Sequence, residues 1–255
     1  MNELIEPLRN LLQANCPPSV VRAIESEGAS GPQRDALMAV LTQSGFADAM
    51  VPESQGGASL SLAQAFPLIE LCGRYLLPVP LPEMIVQRAT GAKPDLEMTA
   101  CLAAAQMVGA MQRVLEKTLQ FANDRHQFGR PLGKFQAIQH QLAVMAEQVL
   151  AARMAAQIGC SADAGNQPDR MNAAIAKARA SEAAVEVTAL AHSIHGAIGF
   201  TADHDLQLFT RRLHAWRLQA GSESYWHEVL GQAVLNSPLG EIGQPHTLDI
   251  LRNIN

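Results

Sequence analysis

Aromatic side chains are scarce in this sequence, at 4% of its 255 residues. Strand-rich folds lean on aromatic and β-branched residues. The shortage, set against abundant alanine, leucine and methionine, predicts helices packed through small side chains. Positive charge is also short. A formal net charge of -5 argues against coating nucleic-acid phosphates. The four cysteines, Cys16, Cys72, Cys101 and Cys160, stand far apart and form no CxxC pair. They are expected to be reduced, mostly buried thiols, not disulfides or zinc ligands. Long apolar runs are missing too: the stretch from Ala100 to Met111 is interrupted by Gln106 and is too short to span a bilayer. Met1-Asn2-Glu3-Leu4 lacks the basic and apolar regions of a signal peptide. The expectation is a soluble, cytoplasmic, mainly α protein with neither membrane nor nucleic acid as partner.

What is present is helical periodicity with clear punctuation. Leu4, Ile5, Leu8, Leu11 and Leu12 recur at helical spacing until Pro17-Pro18 stops them. A second pattern covers about 32–44, and Ser61 is a plausible cap for a third that runs to Leu71 or Cys72. Between Leu77 and Pro94, prolines at 78, 80, 82 and 94 are expected to prevent regular helix and to mark a domain boundary. Beyond Glu97 the periodicity strengthens. Ala104, Met107, Met111, Val114, Thr118 and Ala122 form one stripe. Phe135, Ile138, Leu142, Met145, Val149, Ala152 and Ala156 form a bundle seam. After a loop at Ala164–Pro168, helices are expected over about 169–195, 203–216 and 222–236. The long helices and short loops predict an antiparallel bundle.

Three segments carry candidate chemistry. Asp124–Pro131 gathers two arginines, Gln127 and Phe128 at a glycine-permitted turn. Its guanidiniums suit a phosphate or carboxylate, or simply complement a helix C-terminus. His192 and His195 lie one helical turn apart, as metal ligands can, but no third ligand with useful spacing stands out. They are expected to be satisfied histidines at a helix end, before the permissive Gly196-Ala197-Ile198-Gly199. Gln219-Ala220-Gly221-Ser222-Glu223 looks like an interhelical loop capped by Ser222.

Together, Arg125-His126-Gln127-Phe128-Gly129, Phe135–Ala143 and Ile194–Thr201 resemble the C-terminal helical domain of the acyl-CoA dehydrogenase family. Gly45-Phe46, Val51-Pro52-Glu53 and Gly56-Gly57 resemble the end of its N-terminal domain. The resemblance implies an all-α chain: an N-terminal helical domain over 1–90, a C-terminal antiparallel four-helix bundle over 95–236 and a tail over 237–255. The family's middle β-domain, which holds flavin and acyl chain, is absent.

Members of that family oxidise acyl-CoA thioesters to 2,3-enoyl-CoA with FAD. By resemblance, Arg125 would hold the FAD pyrophosphate across a subunit interface, with Gln127 and Phe128 beside it and Gln136 near the adenosine. The family's Gln-x-x-Gly-Gly cofactor segment reads Ser193-Ile194-His195-Gly196-Ala197, with a shorter Ser193 and an added Cβ at Ala197. The catalytic glutamate is replaced. The family's two alternative positions for it match Ala220 and Thr99, and the arginine beside the second becomes Ala100. Since a general base contributes roughly 10²–10⁴-fold, the resemblance implies a non-catalytic subunit of a heteromeric α2β2 acyl-CoA dehydrogenase. A full-length partner would supply flavin groove and glutamate, and steroid side chains are one substrate class of such heteromers. Two other readings are a cofactor-free helical scaffold and, last, a free-standing oxidoreductase using Glu223.

Overall fold

A computed structural model describes residues 3–28, 30–161 and 166–236. Ala164 and Gly165 of the expected loop, and the tail 237–255, lie outside the described residues. Ten α-helices account for most of the described chain: α1 (Ile5–Asn15), α2 (Pro18–Glu27), α3 (Pro32–Gln43), α4 (Leu62–Arg74), α5 (Leu81–Thr90), α6 (Leu96–Asp124), α7 (Gln136–Cys160), α8 (Arg170–His195), α9 (Leu206–Leu218) and α10 (Glu223–Asn236). One small antiparallel ribbon, β1 (His126–Gln127) and β2 (Arg130–Pro131), joins α6 to α7. The class is all-α, as expected.

Proline accounts for two departures from the expected elements. The segment 77–94 contains α5, because Pro80 flanks that helix and Pro82 sits in its first turn. There the N–H has no intrahelical acceptor to lose, and the fixed φ favours helix entry. Pro17-Pro18 likewise ends α1 and opens α2, with Pro18 as first helical residue. The same ring that stops one helix starts another, and no strand lies between Leu77 and Asp95.

Side chains cap the helices that matter most. Ser61 and Gln64 form a reciprocal capping box at α4, with Ser61 Oγ accepting from Gln64 N at 3.2 Å and Gln64 Oε1 accepting from Ser61 N at 2.9 Å. Asp95 caps α6 by accepting from Met98 N, and Asp169 caps α8 by accepting from Met171 N and Asn172 N, each without a reciprocal bond. Ser61→Ala is expected to lower stability by about 1 kcal/mol, read as a lower urea midpoint at unchanged m-value.

Alanine sets the spacing of the bundle of α6, α7, α8 and α9. Ala104, Ala110, Ala152, Ala156, Ala176 and Ala180 are all fully buried where long helices meet. Every member of the expected α6 stripe is buried, and so are Met145, Val149, Ala152 and Ala156 of the α7 seam. Phe135, Ile138 and Leu142, in and before the first turns of α7, are only half-buried. The core runs without a break from Leu8 and Leu12 on α1 through Ile69 and Met107 to Trp216 on α9. A smaller cluster on the far side of α8 packs Trp226 of α10 against Ala100, Ala174 and Ala178.

The four cysteines are free and buried. Burial pushes the Cys16 and Cys160 thiols up to about 12. Among the described residues, no helix is long and apolar enough to cross a membrane.

Candidate functional site

The end of α6, the ribbon after it and the end of α8 enclose a cleft of about 520 Å³. Arg125, Gln127, Ser193, Gly196 and Ala197, five of the residues anticipated to face a cofactor, line it together. Phe121, Leu132, Ile138, Ile194 and His195 supply its apolar and aromatic walls. Gln136, the first residue of α7, and Phe128, at the tip of the ribbon, are exposed and do not line it.

Local backbone chemistry builds this cleft. Arg125 is the C-terminal cap of α6; its N–H donates to Phe121 O at 2.9 Å, and its carbonyl accepts from Leu132 N at 2.8 Å. That closes the ribbon against the helix end. Phe128 and Gly129 both have positive φ, 50° and 78°, as a two-residue type I′ turn requires. A bulky residue rarely adopts this conformation, and the Phe128 ring is held 91% exposed. Beside it, the Arg130 guanidinium lies 4.1 Å from the centre of the Phe135 ring.

The cleft presents unused polar groups. The Arg125 guanidinium and Gln127 amide are exposed and have no hydrogen-bond or ion-pair partner among the described residues. Gly196 has φ +63°, and a Cβ there would meet nothing within 4 Å, so its backbone faces open space. His195 is 5% exposed. Its Nδ1 lies 2.8 Å from Ala191 O and must donate to it, which leaves a buried Nε2 lone pair with no partner. A free guanidinium, a free amide and an open glycine turn fit a nucleotide's phosphates and hydroxyls. The short Ser193 and the Ala197 Cβ keep part of the surface farther from such a ligand.

His192 and His195 end α8 but are not satisfied as expected: His192 Nδ1, like His195 Nε2, is buried without a partner, because aromatic rings stack on both imidazoles. His192 Nε2 pairs with Thr210 Oγ1 at 3.1 Å, and its ring stacks on Phe200 at 4.1 Å. His195 stacks on Phe121 at 4.3 Å. Burial lowers both pKa values and favours the neutral rings. Among the described residues, no group of three or more metal-ligating side chains comes together.

Of the two positions matched to a catalytic base, Thr99 precedes a residue of the Trp226 cluster and Ala220 packs against that cluster. Thr99 Oγ1 donates to Asp95 O at 2.6 Å inside the first turn of α6. Its neighbour Ala100 and, from the α9–α10 turn, Ala220 both pack on Trp226. The Trp226 indole N–H donates to Ala220 O at 2.9 Å. Neither position carries an acid. Glu223 is committed elsewhere: Arg217 Nε donates to both its oxygens at 3.0 Å and holds its carboxyl below the ordinary range. A carboxylate capped by a guanidinium is a poor proton acceptor.

Lys177 is the residue that sequence reasoning missed. It is fully buried on α8, and Nζ donates to Arg217 O, Gly221 O and Ser181 Oγ at 2.8, 2.9 and 3.1 Å. It thus ties the α9–α10 turn to the bundle. Burial pushes its ammonium down to about 8. The available signal was its place on the inward alanine stripe Ala173, Ala180 and Ala184.

Comparison with known proteins agrees with this geometry. The family description "Acyl-CoA dehydrogenase, C-terminal domain" matches residues 91–235. The acyl-CoA dehydrogenase IpdE2 of Mycolicibacterium smegmatis is 29% identical, over 83% of this chain and 91% of its own. Among solved structures, a chain of the Tcur3481-Tcur3483 steroid ACAD aligns with TM-score 0.80 and 20% identity, over 91% of this chain and 97% of that one. A chain of the ChsE4-ChsE5 complex from Mycobacterium tuberculosis aligns with TM-score 0.79 and 16% identity, over 93% and 99%. The fold therefore recurs over nearly the whole of both neighbouring chains. With more than half its length matched by that domain, this chain belongs to the acyl-CoA dehydrogenase family.

Proposed function

We propose that this chain is the non-catalytic subunit of a heteromeric, FAD-dependent acyl-CoA dehydrogenase. The observation that carries the reading is a division within one chain. The cleft keeps a free Arg125 and Gln127 beside the open Gly196 turn, while both base positions, Thr99 and Ala220, lack an acid. The partner is a full-length acyl-CoA dehydrogenase that contributes β-domain, flavin groove and catalytic glutamate. When bound, FAD accepts the hydride in 2,3-dehydrogenation of the acyl-CoA thioester.

This chain's residues bind and orient. Arg125 would pair with the pyrophosphate and Gln127 with neighbouring oxygens, the Gly196 turn would leave room for close approach, and Ser193 and Ala197 would border the ligand at greater distance. Phe128 and Gln136, both exposed, would meet the partner's part of the cofactor site. Both structural neighbours, ChsE4-ChsE5 and Tcur3481-Tcur3483, pair two proteins, and the latter is a steroid ACAD. They support a heteromeric assembly, which we take to be α2β2, and a steroid side-chain thioester as its substrate. The cytoplasm is the compartment where CoA thioesters and reduced cysteines coexist.

The test is co-expression with an adjacent full-length homologue. The two chains should co-purify with FAD, and native mass spectrometry should give equal numbers of each. One charge-assisted contact is worth about 1.5–3 kcal/mol, so Arg125→Ala should weaken FAD retention by the complex roughly 10–100-fold. Flavin absorbance per complex after gel filtration reads this directly. If the isolated chain held stoichiometric FAD and oxidised acyl-CoA, the assignment would be wrong. An Arg125→Ala complex with full FAD would favour a cofactor-free scaffold.

A further inference from the structure

A second cavity, of about 300 Å³, sits where the N-terminal helices meet the bundle. It shares no lining residue with the cleft. Its floor is apolar: Val21 of α2, Leu76 after α4, and Leu208 and Phe209 of α9. Three cations, Arg74, Arg113 and Lys117, and one carboxylate, Asp205, also line it. Gln13 of α1 stands exposed at the edge.

Charge around this cavity is unbalanced. Arg74 and Arg113 share Glu116, at 2.7 and 3.1 Å. Lys117 and Arg22 share Asp205, both at 3.0 Å. Four cations thus divide two carboxylates, and Arg22 Nε is buried without a partner. Burial alone would raise the Glu116 and Asp205 carboxyls, yet the cations outweigh it and hold both below their ordinary values. Two helices begin at the wall, α2 at Pro17-Pro18 and α9 at Asp205, and add the positive ends of their dipoles. Leu76 lies in that wall with φ +50°, a strained conformation for a bulky residue, of the kind that gathers at ligand sites.

We propose that this cavity binds a small amphipathic anion. Its acid group meets Arg113, Lys117 and Arg74 at the rim, and a short apolar body lies against Leu76, Leu208 and Phe209. The volume is at the small end for ligand cavities, which excludes a nucleotide or a coenzyme and suits a medium-chain acid. The site is independent of the flavin-facing cleft, so its failure would leave the subunit assignment untouched.

Isothermal titration of the full chain with octanoate, octyl phosphate, octanol and acetate tests it. Octanoate or octyl phosphate should bind saturably, one per chain, and the tighter of the two names the acid group. Octanol and acetate, each lacking one half of the ligand, should bind at least tenfold more weakly. Arg113→Gln should weaken the anion about tenfold, the size of one charge-assisted contact. That variant should fold, because the Arg113 side chain is 42% exposed and Glu116 keeps Arg74. Gln13→Trp should close the edge and abolish binding, with the helical spectrum unchanged. Octanol binding as tightly as octanoate, an unaffected Arg113→Gln variant, or no saturable binding of either anion would each overturn the proposal.

Discussion

Alanine at position 109 is expected to cost at least ~3 kcal/mol of stability, the upper range for overpacking a core, and to lower Tm by roughly 10 °C. The reason is the crossing of α4 on α6. A Cβ on Gly109 would lie 1.9 Å from Glu70 O and 2.8 Å from Arg74 N. The reciprocal position is as tight, since a Cβ on Gly73 would lie 1.8 Å from Gln106 O. Two backbones therefore touch through two glycines, and a clash with backbone cannot be relieved by turning a side chain. The helix propensity gained by Gly→Ala, about 1 kcal/mol, is too small to compensate. Gly231 provides the control. It lies on the exposed face of α10 with nothing within 4 Å of a Cβ, so Gly231→Ala should stabilise by up to about 1 kcal/mol. Urea unfolding of both variants should give midpoints on opposite sides of wild type. If Gly109→Ala unfolds with wild type, the helices are not in backbone contact there. Because α4 belongs to the N-terminal half and α6 to the bundle, this crossing also explains why the core continues from one to the other.

How much of this was legible in the sequence depends on the physical scale of each signal. The long helices α6, α7 and α8 announce themselves because dozens of residues repeat one period. Helix α5 does not, because a proline reads as a breaker unless its position in the first turn is known. The ribbon of β1 and β2 is invisible for a different reason: two-residue strands carry no alternation, and only the Phe128-Gly129 turn betrays them. The cleft was legible as two separated segments, since Arg125 and Gln127 do meet Ser193, Gly196 and Ala197. Its apolar walls were not, because Phe121, Leu132 and Ile138 look like ordinary core positions until the helix ends are placed. Lys177 was hidden by its setting, where a single charge among alanines looks like the solvated face of a helix. The second cavity depends on contacts between residues nearly two hundred positions apart, such as Arg22 with Asp205, which no local pattern records.

Lys177→Met should destabilise the protein by about 2 kcal/mol at neutral pH, with a deficit that grows at alkaline pH. Methionine fills similar space but donates nothing. Arg217 O is one of the terminal carbonyls of α9 that no helical N–H reaches, and it would lose its donor together with Gly221 O and Ser181 Oγ. Each hydrogen bond to a charged group is worth roughly 1.5–3 kcal/mol, offset in part by no longer burying an ammonium. The pH dependence has a definite sign. The folded-state pKa of about 8 lies below the ordinary lysine value of 10.5, so between these limits the unfolded chain binds a proton that the folded chain has released. Stability contributed by Lys177 therefore rises from about pH 8 to 10.5, by on the order of 3 kcal/mol, and is constant below pH 8. The buried cysteines work in the opposite direction, because thiols such as Cys16 and Cys160 are raised by folding and lose stability once the unfolded thiols ionise near pH 9. Their contribution is common to both proteins, so the difference between wild type and variant isolates the lysine. Paired urea titrations at pH 7, 8, 9 and 10 should show that difference widening above pH 8, and parallel profiles would mean that Lys177 is not buried as an ammonium. The substitution also loosens the turn bearing Ala220, whose carbonyl accepts the Trp226 indole N–H. A buried cation thus holds the α9–α10 turn against the bundle.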